Sequence, residues 1–113
     1  NGTNNIAILH CISSYPTIEK DSNLSNIYKI QEQYDCVIGQ SDHTNDIKVP
    51  IYAAAAGAQI LEKHFKIDEE FECIDSLVSI TEVQMKELVE EVRGLEKMIS
   101  KMIRYANTFP VLN

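Results

Sequence analysis

Three short apolar runs, each followed by a stretch of helical spacing, constrain this chain more than anything else in it. The runs are Ile6–Cys11 (IAILHC), Cys36–Ser41 (CVIGQS) and Gln59–Phe65 (QILEKHF). Each is mostly apolar rather than strictly alternating, the pattern of a strand covered on both faces. Asn23–Tyr34 sets Leu24, Ile27, Tyr28 and Gln31 three and four apart, which predicts a helix. Val49–Ala56 is Ala-rich and starts near a proline suited to a first turn, and Gly57 follows where a C-cap would stand. The last helix is the most strongly marked. Met85, Leu88, Val89, Val92, Leu95, Met98, Ile99, Met102 and Ile103 form one stripe, with Glu and Lys opposite. Ser79 with Glu82, or Thr81 with Gln84, could open it as a capping box. The stripe reads as a packing face rather than a coiled-coil seam, because no heptad is sustained with charged flanks. Strand followed by helix, three times over, predicts an α/β fold with a parallel sheet and helical crossovers, either doubly wound or part of a barrel.

The 113 residues amount to about one ordinary domain, with no linker, internal repeat or low-complexity segment. Ten Lys and Arg stand against 17 Asp and Glu, a net charge of −7. That balance argues against phosphate-held nucleic-acid binding and against adhesion to anionic membranes. No apolar run approaches the ~20 residues that cross a bilayer, and the NGTNN start lacks the basic and apolar regions of a signal peptide. Cys11, Cys36 and Cys73 are an odd number at wide spacings, so neither a disulfide framework nor a thiolate metal site is expected, and all three read as small buried hydrophobes. A reduced, cytoplasmic protein is the expectation. No Gly-rich loop follows a strand, so dinucleotide and nucleoside-triphosphate fingerprints are both missing.

In parallel α/β folds the chemistry gathers at the carboxyl ends of the strands. Ser13-Ser14-Tyr15-Pro16 follows the first run, Ser41-Asp42-His43-Thr44 the second, and Glu62-Lys63-His64 ends the third, with Asp75 and Ser76 in the loop beyond. His43 and His64 are therefore expected on neighbouring strands at the same end of the sheet. Two converging imidazoles can hold a divalent ion whose other positions are filled by water or substrate oxygens; two surface histidines bonded to carboxylates or carbonyls are the alternative. His10 lies inside its strand and reads as a hydrogen-bonded residue facing a barrel interior or supporting the site from behind. Ser13 and Ser41 could donate to a phosphate or carboxylate, or cap the turns they begin. Lys63 could add charge, and Asp42 and Asp75 could orient a histidine or serve in acid–base work.

ILHCISSYPT, IGQSDHT and AAAAGAQILEKHF, in this order and spacing, resemble the N-acetylneuraminate (sialic acid) synthases and their relatives that make legionaminic and pseudaminic acids. The likeness runs from about Ile8 to about Ile99. It implies a (β/α)8 barrel that condenses phosphoenolpyruvate with an N-acyl amino sugar such as N-acetylmannosamine, giving a nonulosonic acid and phosphate. By the same resemblance His43 and His64 would be manganese ligands (magnesium or cobalt being the other candidates), and Ser41 would contact the phosphate. Ser13 and Tyr15 would line the pocket and Asp75 would bind sugar hydroxyls. Where the family's loop usually carries Pro-Gly-Pro-Asp, this chain has Glu72-Cys73-Ile74 before Asp75. His10 is similar to the sialic branch and Asp75-Ser76 to the pseudaminic branch.

A full barrel takes ~250 residues, so 113 residues have room for three units and a little more, which the resemblance identifies as the last three, read as one partial catalytic domain over 1–113. By the same resemblance the family's earlier strands and its small antifreeze-like domain are expected to lie outside these residues, and the full-length family implies a homodimer. The expected function is that of a synthase fragment, inactive alone because both substrates need a complete ring of groups to reach near-attack geometry. A non-catalytic remnant or interaction module, using the long final helix as its contact surface, is the alternative.

Overall fold

A computed structural model describes residues 5–108, with side chains described as far as Ile99. Four parallel strands, β1 (Ala7–Cys11), β2 (Val37–Asp42), β3 (Ile60–Phe65) and β4 (Ser79–Ile80), lie side by side in chain order. Helix α1 (Ser25–Gln33) links β1 to β2, and α2 (Lys48–Ala55) links β2 to β3. A loop ending in a single 3-10 turn (Ser76–Val78) leads to β4, and α3 (Glu82–Thr108) follows it. The three long strands start within a residue of the expected positions. The fourth was not foreseen, because two residues are too few to carry a periodicity.

Side chains alternate between the two faces of the sheet. Ile8, Ile38 and Leu61 point to one face, where they pack with Ile27 of α1 and Ala53 and Ala56 of the α2 end. A second cluster joins Ile47, Ile80 and Leu88, with Ile51, Met85 and Val92 against them. Both clusters lie under helices. The opposite face is open: Val37, Ile60, Cys11 and Glu62 are exposed on it. The expectation of strands covered on both faces thus fails among the described residues.

The stripe on α3 packs only in part. Met85, Leu88 and Val92 join the second cluster, while Val89 and Met98 remain exposed, and Met102 and Ile103 lie outside the described side chains. Of the two possible capping boxes the structure forms the Thr81–Gln84 pair. Thr81 N donates to Gln84 Oε1 at 3.0 Å, and Gln84 N reaches back to Thr81 Oγ1 at 3.5 Å. Ser79 is instead in β4, with its hydroxyl donating to the Asp75 carbonyl at 2.6 Å. No described helix is long and apolar enough to cross a membrane.

Gly57 ends α2 as expected, at a φ of 106° that side chains rarely adopt. Its carbonyl accepts from Gln31 Nε2 at 3.1 Å, tying α1 to the α2 terminus. Gly57→Ala is expected to destabilise the fold by about 1–2 kcal/mol, the cost of a left-handed conformation for a residue with a Cβ. A urea melt with an unchanged slope and a lower midpoint would show it.

Candidate functional site

Because the strands are parallel, their carboxyl ends share one edge. The register pairs Cys11 with Ser41, Ser41 with Glu62, and Asp42 with Lys63. Face then follows from parity. Cys11, Ser41, Glu62 and His64 sit on the open face; His10, Gln40, Asp42 and Lys63 turn toward the helices.

His43 stands just beyond the end of β2 and is buried, at 5% exposure. Its Nδ1 donates to the Ile12 carbonyl at 2.9 Å. A carbonyl only accepts, so Nδ1 carries a hydrogen, and in the neutral ring Nε2 is the nitrogen with the lone pair. The His43 carbonyl accepts from Thr17 N at 2.8 Å, and the Thr17 hydroxyl donates to the Ser14 carbonyl at 2.8 Å. The loop after β1, which contains a cis Tyr15–Pro16 peptide, is thereby strapped across the histidine. This brings the Tyr15 ring to 4.1 Å from the His43 ring and 6.2 Å from that of His64, centroid to centroid.

The rings of His43 and His64 lie 5.4 Å apart, tilted by 51°. Two imidazoles on one ion, each bonded at ~2.1 Å, have centroids ~4.5 to ~6.4 Å apart, so the spacing fits a shared cation. Among the described residues no group of three or more His, Cys, Asp and Glu could hold a metal. The Asp75 carboxylate comes within 3.6 Å of His64 Nδ1, too far for a hydrogen bond.

Of the expected site residues, Tyr15, His43, His64 and Asp75 are thus brought together. Ser13 is exposed in the strapped loop. Ser41 is on the open face, but its hydroxyl donates to Glu62 Oε1 at 2.6 Å. Glu62 stood among the strand-end polar residues of the sequence but was given no role there. The signal for it was its place two residues before His64, which puts both side chains on the same face of β3.

Several expectations need correction. Lys63 does not present its charge to the pocket: its ammonium is buried against Asp42 Oδ2 at 2.7 Å, with the two side chains 1% and 2% exposed. Asp42 likewise orients no histidine ring directly. It accepts from Lys63, from Thr44 N at 3.1 Å and Oγ1 at 2.6 Å, and from Gln40 Nε2 at 3.0 Å. His10 is hydrogen-bonded as expected but faces α1, donating from Nε2 to the Ser22 carbonyl at 2.8 Å and accepting from Asn26 at Nδ1. Cys11 and Cys73 are exposed rather than buried. Strand parity sets Cys11 on the open face, with Sγ 3.6 Å from His43 Nδ1.

The NeuB family model matches residues 1–104, somewhat beyond the Ile99 limit of the resemblance. An uncharacterised protein of Methanocaldococcus jannaschii is 41% identical over 88% of this chain and 29% of its own length. A pseudaminic acid synthase of Campylobacter jejuni is 36% identical over 83% of this chain and 27% of its own. The crystal structure of an N-acetylneuraminic acid synthetase from Leptospira borgpetersenii, in complex with citrate, superimposes with a TM-score of 0.80 and 35% identity, over 91% of this chain and 40% of that one. The chain thus spans less than a third of the length of these two curated relatives. By the extent of the family match and these identities, the chain belongs to the NeuB family.

Proposed function

We propose that these residues form the metal-binding and phosphoenolpyruvate-binding end of a nonulosonic acid synthase with a (β/α)8 barrel. One observation carries the reading: the imidazoles of the SDHT and EKHF segments converge to 5.4 Å at the carboxyl edge of a parallel sheet. The barrel is supported by strand order. Right-handed crossovers that always advance in one direction leave every helix on one face, and such a sheet curls toward closure, whereas a doubly wound sheet reverses direction and covers both faces.

The reaction joins the methylene carbon of phosphoenolpyruvate to the aldehyde carbon of an N-acyl amino sugar. Water adds at the carbon bearing the phosphate, and phosphate leaves with that carbon–oxygen bond broken. His43 and His64 would hold a divalent cation, manganese by preference, whose chemistry is Lewis-acid polarisation of the aldehyde oxygen. His43 enters this role with its tautomer already set by the Ile12 carbonyl. Tyr15, packed on that ring, limits its rotation and shields the site from solvent. Ser41 exchanges Glu62 for a phosphate oxygen when substrate enters. Asp75 accepts from sugar hydroxyls, and Ser13 lines the same pocket. The 113 residues alone are expected to be silent, because the remaining barrel units must supply the other walls.

The test is phosphate release from phosphoenolpyruvate and N-acetylmannosamine with manganese. The isolated chain should give none. A chimaera in which this chain replaces the matching part of the Leptospira synthetase should turn over in a metal-dependent way. A folded but inactive chimaera would refute the reading, as would turnover by the isolated chain refute the incomplete pocket.

A further inference from the structure

Between the two histidines lies a pair of buried charges that the reaction does not use. Lys63 immediately precedes His64, and Asp42 immediately precedes His43. The two are cross-strand partners in the β2–β3 ladder. On the helix side of the sheet their side chains form an ion pair at 2.7 Å, almost fully removed from solvent. The Lys63 ammonium also donates to the Thr44 carbonyl. Asp42 collects donors from Thr44 N, Thr44 Oγ1 and Gln40 Nε2. Residues 42 and 44, on either side of His43, are therefore both bound to the side chain that adjoins His64.

We propose that the Lys63–Asp42 pair is a positioning device that sets the spacing and orientation of the two imidazoles. This rests on reading His43 and His64 as metal ligands. The physical argument begins with cost. A buried ion pair is a poor source of stability, because desolvation offsets most of the attraction and apolar residues of similar volume often serve as well. What it supplies is direction. One ammonium bonded to two acceptors and one carboxylate with four donors around it fix the backbone on both sides of His43. A backbone so fixed presents His43 Nδ1 to the Ile12 carbonyl and keeps the His43 ring 5.4 Å from that of His64. Apolar side chains in the same space would fill the volume without defining that arrangement.

Lys63→Met alone leaves the Asp42 carboxylate buried without its cation and is expected to unfold much of the protein. The informative variant is Asp42→Leu/Lys63→Met, which removes both charges together. Two readouts are taken on the whole protein: the nitrogen-15 NMR signal of His43 Nδ1–H, and cobalt(II) affinity from its visible absorption. The double variant should melt close to the wild type. Its Nδ1–H signal should broaden or vanish, and its cobalt affinity should fall about 10- to 100-fold, the range for partners that orient a metal ligand. A double variant with the wild-type signal and affinity would show that the pair only fills space, and the proposal would be overturned. Should that variant fail to fold, Thr44→Val removes one strut and no charge; an unchanged signal and affinity in it would equally overturn the proposal. If the wild type binds no cobalt while the Nδ1–H signal still depends on the pair, the positioning role stands and the metal reading falls.

Discussion

Replacing His43 by alanine is expected to weaken divalent-metal binding by more than about 100-fold, beyond the range seen when an outer partner of a ligand is lost. On the proposed reading the effect is large because one of two converging imidazoles is lost, and a lone imidazole holds a hard divalent ion little better than water does. His64→Ala should do the same. Loss of His43 also frees the Ile12 carbonyl and removes the ring under Tyr15, so some stability is lost, but the hydrophobic clusters under the helices do not include it. Circular dichroism should therefore show a folded chain while cobalt titration shows none of the wild-type absorption. Unaltered metal affinity in either variant would mean that the two rings do not share an ion.

The second large effect is expected at Gly39, in the middle of β2. A Cβ there would lie 2.5 Å from the Ile60 carbonyl oxygen and 2.9 Å from the Ile60 Cβ. Ile60 is the register partner of Gly39 on β3, so the obstacle is backbone that cannot swing aside as a flexible side chain could. Relief requires β2 and β3 to move apart, and these are the strands that carry His43 and His64. Gly39→Val is expected to destabilise the chain by about 3 kcal/mol, the upper part of the range for overpacking. The folded fraction should also bind metal less tightly, since the strand gap sets the distance between the imidazoles. Urea denaturation followed by cobalt titration of the folded protein checks both. A Gly39→Val variant with wild-type midpoint and affinity would contradict the close approach of the strands.

The sequence showed a good deal of this architecture, and the reasons for the failures are specific. Ile6–Cys11, Cys36–Ser41 and Gln59–Phe65 were legible as strands because each is a short apolar run ended by polar residues. The meeting of His43 and His64 followed from parallel pairing, which lines up strand ends whatever the side chains do. Facing was harder. Asp42 and Ser41 are adjacent in sequence, yet Ser41 lies on the open face and Asp42 among buried groups. A single residue of register decides which of two neighbours is chemical and which is structural. The apolar runs did not disclose that register, because Gly39 and Cys11 blur the alternation. Lys63 was misread for the same reason, and Glu62 beside it was named without a role. The strap over His43 depends on hydrogen bonds between Thr17, Ser14 and the His43 carbonyl, contacts between segments that no local pattern announces.

On the proposed reading the imidazoles of His43 and His64 form one metal site at the carboxyl edge of the sheet. Pulsed electron paramagnetic resonance of the manganese(II)-loaded protein tests it most directly, through hyperfine couplings from coordinated nitrogen. The account predicts one ion per chain with couplings from two imidazole nitrogens, reduced to one in His43→Ala and in His64→Ala. Manganese that remains fully hydrated in the presence of the wild-type protein, or nitrogen couplings that survive both substitutions, would contradict it.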